Sequence, residues 1–282
     1  MNDYTITFQF DKVTTKIISL NHFISLQMRP IKIIQPFTFI IIFVAVLYSF
    51  IACAYRNKND DSNKGFAVVE LFTSEGCSSC PPADAVAAKL SEEYKDNVYI
   101  LGFHVDYWDR LGWKDMFSNA AYSKRQYRYG QIFHLNSVYT PQVVVNGKTE
   151  FVGSNESRLI NTITGELKNS ATIDIELTAK NNDNKTINIS YKVDKASNTV
   201  LNIALIQLHA QSSVKSGENE GRVLHHVNVV RDFKTINTDK NAEGNIDIVL
   251  PEGLSAKDCK VIGYLQKNDN WQVIAAMETT IQ

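Results

Sequence analysis

The stretch FAVVELFTSEGCSSCPPAD, residues 66–84, decides the fold that we predict for this chain. Its first seven residues are almost continuously apolar, which is typical of a strand buried on both faces of a sheet. Apolar residues recur at helical spacing after Pro81 and Pro82, and a helix tolerates proline mainly in its first turn. The sequence therefore predicts that Cys77 and Cys80 lie on a loop between a buried strand and the N-terminus of a helix.

A second buried strand and a second helix follow the cysteines. Residues 98–105 (VYILGFHV) form another apolar run, and a helical pattern extends over residues 114–129. The basic side chains of this helix are expected to form a solvated face: Lys124, Arg125 and Arg128.

A hairpin and a last helix complete the first half of the chain. The apolar residues that follow Pro141 predict a strand, and the pair Asn146-Gly147 is a strong hairpin-turn signal before the returning strand. Ser154 or Asn155 can cap a helix that runs to about residue 167. The predicted order is strand, helix, strand, helix, strand, strand, helix.

Three motifs carry a resemblance to a known family. A Cys-x-x-Cys after the first strand and a Thr-Pro before the third resemble the thioredoxin superfamily. The longer matches at residues 72–84 (FTSEGCSSCPPAD), 105–109 (VDYWD) and 139–142 (YTPQ) are similar to a secreted thioredoxin-like family, domain-of-unknown-function family 1223. The resemblance runs from about residue 66 to near the C-terminus. It implies a thioredoxin-like α/β domain over residues 66–169, a location outside the cytoplasm, and no settled reaction.

The resemblance also implies a backbone feature beside the cysteines. In the thioredoxin superfamily the proline of the Thr-Pro motif follows a cis peptide bond and lies against the cysteine pair. A cis bond before proline is a minority state that needs a structural cause. We therefore expect a cis Pro141 to belong to the site.

The second half has a different pattern. Residues 172–178 (TIDIELT) and 186–193 (TINISYKV) alternate apolar and polar side chains, as half-buried strands do, and about five more strand-like runs follow. We expect residues 170–282 to form an antiparallel, β-sandwich-like domain. The predicted fold class is thus an α/β thioredoxin-like domain followed by an all-β sandwich-like domain.

Two details of this half can be predicted from single residues. His225 and His226 are adjacent, so on a strand they point to opposite faces, one exposed and the other packed. Cys259 opens a strand without an obvious partner and is expected to be a buried free thiol.

The N-terminus resembles a bacterial lipoprotein signal. Residues 37–52 are apolar, too short for a comfortable membrane span, and end at Cys53 with the sequence Phe50-Ile51-Ala52-Cys53. The resemblance implies cleavage before Cys53 and lipidation of its side chain. We expect translation to start at Met28, residues 1–52 to be upstream segment and signal peptide, and residues 53–65 to be a tether. The alternative is an uncleaved membrane anchor, and in either case the body of the protein leaves the cytoplasm.

The composition of the chain excludes some classes of partner. The chain of 282 residues has 29 Lys and Arg against 30 Asp and Glu, so no basic surplus favours nucleic acid. Its four cysteines are too few for a disulfide scaffold in a chain of this length. Partners must therefore be predicted from motifs: the Cys-x-x-Cys pair predicts protein thiols or disulfides, and the lipoprotein-like signal predicts a membrane through the lipid anchor.

The cysteine pair predicts thiol–disulfide exchange. A helix N-terminus lowers the pKa of a thiol, so Cys77 is expected to attack a client disulfide and Cys80 to resolve the mixed disulfide. The predicted function is an extracytoplasmic thiol–disulfide oxidoreductase that needs no bound cofactor.

Other interpretations remain open. The pair can be a static disulfide in a binding or scaffold protein. Cys77, Cys80 and His104 can together handle copper, because thiolates favour its reduced state. A zinc site is disfavoured, since no second Cys-x-x-Cys is present. Asp106 can act as a proton shuttle that takes the proton of the Cys80 thiol, or it can merely cap a loop turn.

Overall fold

Strand β1 (Ala67–Thr73) lies at the centre of the first half, and all seven of its residues are buried. The computed structural model describes residues 65–170, 173–183, 185–194 and 197–282. The predictions for Met28, the signal peptide and Cys53 lie outside these residues. Within the described part of the chain, no helix has the length and apolar character that crossing a membrane requires.

Three α-helices and three further strands follow β1 in the predicted order. The cysteines precede α1, and the hairpin of β3 and β4 turns at Asn146 and Gly147, which both have positive φ, 47° and 62°. Asn155 caps α3, since its side chain accepts a hydrogen bond from the N–H of Arg158. The elements are α1 (Pro81–Glu93), β2 (Val98–His104), α2 (Ala120–Ile132), β3 (Gln142–Val145), β4 (Thr149–Val152) and α3 (Glu156–Glu166).

The second half is built from strands, with one short 3₁₀ turn before β10. In its first two strands, buried residues alternate with exposed or partly exposed ones, as their sequence pattern predicts. The strands are β5 (Ile175–Asn181), β6 (Thr186–Val193), β7 (Thr199–Ser213), β8 (Val223–Asn237), β9 (Glu243–Val249), β10 (Cys259–Lys267) and β11 (Val273–Thr280).

The predicted fold class, an α/β thioredoxin-like domain followed by a β-sandwich-like domain, is wrong. Strands from both sides of residue 170 form one mixed, eight-stranded sheet in the order β11-β10-β7-β8-β2-β1-β3-β4. The halves join where β8 runs parallel to β2, with Gly102 opposite Val229. β5, β6 and β9 form a separate three-stranded sheet. Because of this pairing, β2 lies inside the sheet and is not an edge strand.

One hydrophobic core crosses the junction between the halves. It combines Phe72 and Phe103 of β1 and β2 with Ile262 and Tyr264 of β10, and α2 covers it with Tyr129. A second core lies between the three-stranded sheet and the β7, β10 and β11 part of the large sheet. The continuous core explains why the halves do not form successive, independent layers.

A buried ion pair lies within the shared core. Arg125 of α2 donates to both carboxylate oxygens of Glu70 on β1, at 2.5 and 2.9 Å, and to Gln266 of β10 at 3.0 Å. Arg125 is only 9% exposed, so the prediction of a solvated position for this residue is wrong. Its charge is paired with a carboxylate inside the protein, which is the condition for burying a charge.

Candidate active site

The two cysteines lie where the sequence places them, on the loop between β1 and α1, and they are joined by a disulfide. Cys80 is the N-cap residue of α1, and Pro81 and Pro82 occupy its first turn. Both cysteines are 0% exposed, whereas Ser78 and Ser79 between them are exposed. The disulfide therefore faces the interior beneath an accessible two-residue loop.

Pro141 lies beside this loop and follows a cis peptide bond, as expected from the family resemblance. The carbonyl oxygen of Thr140 is 3.8 Å from Cys77 Sγ and also accepts a hydrogen bond from Ser79 Oγ at 3.4 Å. Trp108 holds Thr140 in place, since its Nε1 donates to Thr140 Oγ1 at 2.8 Å. The structure thus brings the segment of Pro141 together with the cysteine loop.

The side chain of Asp106 makes its hydrogen bond with α2 and not with the cysteine loop. Its carboxylate accepts from Ser123 Oγ at 2.5 Å, and its N–H donates to the same oxygen at 3.0 Å. These two contacts connect the end of β2 to α2.

His104 pairs with a carboxylate beneath the disulfide loop. Its Nδ1 lies 2.6 Å from Asp115 Oδ2, and both side chains are buried. The same carboxylate accepts hydrogen bonds from the N–H of Glu75 and the N–H of Phe117. Burial alone would raise the pKa of Asp115. The charge and hydrogen bond of His104 lower it, the two N–H donors lower it further, and the net result is a lowered pKa.

The copper interpretation requires His104 to be a third ligand beside the two cysteines. Within the described ranges, no three side chains of His, Cys, Asp or Glu converge in a way that could hold a metal ion. His104 directs a ring nitrogen to Asp115, which accounts for its burial in a strand.

Sequence reasoning missed a buried histidine with two carboxylates. His226 of β8 has Nε2 3.4 Å from Glu75 Oε1 and Nδ1 3.5 Å from Asp84 Oδ2. These are ion-pair distances without hydrogen-bond geometry, because neither ring nitrogen has a hydrogen-bond partner. Burial would lower the pKa of His226, but Asp84 and Glu75 outweigh it and raise the pKa to about 9.

The carboxylates of this cluster have further partners. Thr73 Oγ1 donates to Asp84 at 3.0 Å, and Trp113 Nε1 donates to Glu75 at 2.7 Å. Ser212 Oγ of β7 donates to the other oxygen of Glu75. Acidic residues on both sides of the Cys-x-x-Cys motif were a signal in the sequence, whereas nothing in the sequence connected His226 to them.

Cys259 lies far from the disulfide. It is a buried free thiol, as predicted, and burial raises its pKa to about 11. It lines a groove of about 380 Å³ together with Tyr94, Lys257 and Lys260. Tyr94 ends α1 at the opposite terminus from Cys80, about 20 Å away along a helix of 13 residues. The groove is therefore separate from the disulfide site.

Comparisons with known proteins identify a family whose model matches this chain and solved structures that are similar to it. The family described as "Protein of unknown function (DUF1223)" matches residues 68–266. Protein AGR_C_4864 from Agrobacterium tumefaciens, a solved structure, is 25% identical with a TM-score of 0.56, over 75% of this chain and 92% of that chain. No curated protein matches.

A second solved structure is only remotely similar. A domain of the outer membrane lipoprotein Omp28 from Porphyromonas gingivalis has a TM-score of 0.24 and 13% identity, over 40% of this chain and 89% of that chain. A TM-score this low supports no conclusion about fold or function.

Proposed function

Since the chain belongs to the DUF1223 family, whose description assigns no reaction, we propose from its own geometry that it is a thiol–disulfide oxidoreductase. The observation that carries the proposal is the Cys77–Cys80 disulfide at the start of α1, with Thr140 at Cys77 Sγ. A helix N-terminus and nearby hydrogen-bond donors stabilise a thiolate. Ser79 Oγ, 3.3 Å from Cys77 Sγ, can supply such a donor.

The proposed reaction exchanges one disulfide for another. The Cys77 thiolate attacks a client disulfide, a bond forms between Cys77 and one client sulfur, and the other client sulfur leaves as a thiolate. Cys80, as a thiolate, then attacks Cys77 Sγ. This breaks the bond between Cys77 and the client, releases that client sulfur as a thiolate, and forms the Cys77–Cys80 disulfide. The client gains two electrons and, from solvent, two protons. With a client dithiol and the Cys77–Cys80 disulfide as reactants, the same steps run in the opposite direction and the client is oxidised.

The test is the reduction potential of the pair, measured by equilibrating residues 65–282 with glutathione buffers. A value of roughly −120 to −270 mV is that of an exchangeable couple and supports the proposal. A value well below about −300 mV is that of a structural disulfide and contradicts it.

One observation favours a second candidate, a scaffold protein with a static disulfide. Both cysteines are 0% exposed, so an attacking sulfur has no direct path to either one in this conformation. The potential separates the two candidates, because a static disulfide resists reduction by glutathione.

We also propose that the protein acts outside the cytoplasm on a lipid anchor at Cys53. The support is the apolar segment that ends at this cysteine, together with an oxidised cysteine pair, which persists in oxidising compartments. Mass spectrometry of the protein from bacterial membranes should give a mature chain that starts at a lipidated Cys53. A chain that retains residues 37–52 would instead indicate an uncleaved anchor.

A further inference from the structure

The loop that joins β7 to β8 reaches from the second half of the chain onto the disulfide loop. Asn219 Nδ2 donates hydrogen bonds to two main-chain carbonyl oxygens, that of Glu75 at 2.8 Å and that of Cys77 at 3.0 Å. The neighbouring Glu218 accepts a hydrogen bond from the N–H of Ser78 at 2.9 Å. Two adjacent side chains therefore hold the main chain on both sides of the first cysteine.

Asn219 is itself held in one orientation. It is 0% exposed, and its Oδ1 accepts a hydrogen bond from an Arg222 Nη atom at 2.8 Å. The loop is fastened at a second point, where Ser216 Oγ donates to the carbonyl oxygen of Gly112. A buried amide whose donors and acceptor all have partners cannot rotate without losing hydrogen bonds that water does not replace.

This geometry bears on the sulfur because the clamped carbonyl belongs to Cys77. We infer that Asn219 is a positioning residue for exchange, a role that rests on the proposed function of the cysteine pair. Asn219 fixes the backbone of Cys77 so that its Sγ stays beside the Thr140 carbonyl oxygen, 3.8 Å away. Exchange needs the attacking, central and leaving sulfurs to be aligned, and a misplacement of about 1 Å can slow a reaction about 100-fold.

The test compares exchange rates of the reduced protein with glutathione disulfide, under conditions where each variant is folded. Asn219→Asp keeps the shape of the side chain but removes both N–H donors, so we expect exchange to be about 10- to 100-fold slower. Arg222→Ala removes the donor to Asn219 Oδ1 but no buried side chain, so we expect a smaller loss of exchange rate. Arg222→Lys keeps a positively charged donor and should slow exchange less than Arg222→Ala does. Glu220→Gln is the matched control, because Glu220 is an exposed carboxylate of the same loop.

The reduction potential, measured in parallel, separates positioning from a purely structural role. Positioning of Cys77 predicts that Asn219→Asp changes both rate and potential, whereas loss of stability alone lowers only the melting temperature. If Asn219→Asp does not fold, the exchange rates of Arg222→Ala and Arg222→Lys are compared instead, and a slower rate in Arg222→Ala supports the positioning role. If the folded variants exchange at the wild-type rate, the positioning role of Asn219 is refuted, but the proposed function of the cysteine pair is not. A wild-type protein that does not exchange overturns the proposed function, and this role with it.

Discussion

The Nε2 atom of His226 lies 3.4 Å from the Oε1 atom of Glu75, which places a histidine of β8 directly beneath the loop that carries the disulfide. The other ring nitrogen lies 3.5 Å from Asp84 in the first turn of α1. As whole residues, His226, Glu75 and Asp84 are 4%, 0% and 9% exposed. A buried charge is tolerated when it is paired, so the histidinium links the two halves of the chain at the candidate site.

This cluster predicts how stability depends on pH. The pKa of His226 is raised from 6.5 to about 9 in the folded protein, so its contribution is fully present below about pH 6.5 and is lost as the pH rises through about 9. We expect the free energy of unfolding to fall over this interval by at most about 3 kcal/mol. Urea unfolding at a series of pH values measures it. His226→Gln should abolish the fall and His225→Gln, at an exposed neighbour, should keep it; an unchanged fall in His226→Gln would contradict the prediction.

The two cysteines are predicted to have different roles. Cys77→Ser should abolish exchange with a model protein disulfide, because it removes the attacking thiolate. Cys80→Ser should accumulate a mixed disulfide at Cys77, because the resolving thiolate is missing. Mass spectrometry after quenching with acid detects that species. Cys259→Ser is the control and should exchange normally, since its thiol is buried at a distant groove. Activity that survives in Cys77→Ser would reverse the assignment.

The turn between β3 and β4 should not tolerate a side chain at Gly147. Its φ is +62°, and an added Cβ would overlap the carbonyl oxygen of Trp271. Gly147→Ala should therefore reduce the free energy of unfolding by about 2 kcal/mol or more. Gly165→Ala in α3 should raise it by about 0.5–1 kcal/mol, because nothing lies within 4 Å of the new methyl group. Denaturant titration of both variants gives the comparison, and equal effects would be inconsistent with it.

Removing Arg125 should leave a buried, unpaired carboxylate at Glu70. We expect Arg125→Ala to cost about 3–5 kcal/mol of stability. Arg128→Ala, one turn along the same helix and exposed, should cost less than about 1 kcal/mol. Calorimetry of the two variants measures the difference, and both should unfold in a single transition because the core is shared. A loss in Arg125→Ala no larger than that in Arg128→Ala would refute the prediction.

Local features of the fold could be predicted from the sequence. The position of the cysteines between a strand and a helix follows from an apolar run and two adjacent prolines, and the β3–β4 turn follows from Asn146-Gly147. The cap at Asn155 and the opposite faces of His225 and His226 are also confirmed. Each of these depends on residues that are close in sequence, where backbone preferences and side-chain periodicity are decisive.

The sequence by itself therefore determined the elements and the cysteine pair, but only the tertiary structure decided what surrounds them. Whether β2 is an edge strand depends on β8, and whether Arg125 is solvated depends on Glu70 and Gln266. Asn219 and His226 reach the disulfide loop from more than a hundred residues away in sequence. Such contacts depend on which strands pair across the chain, and local secondary-structure propensity does not determine that pairing.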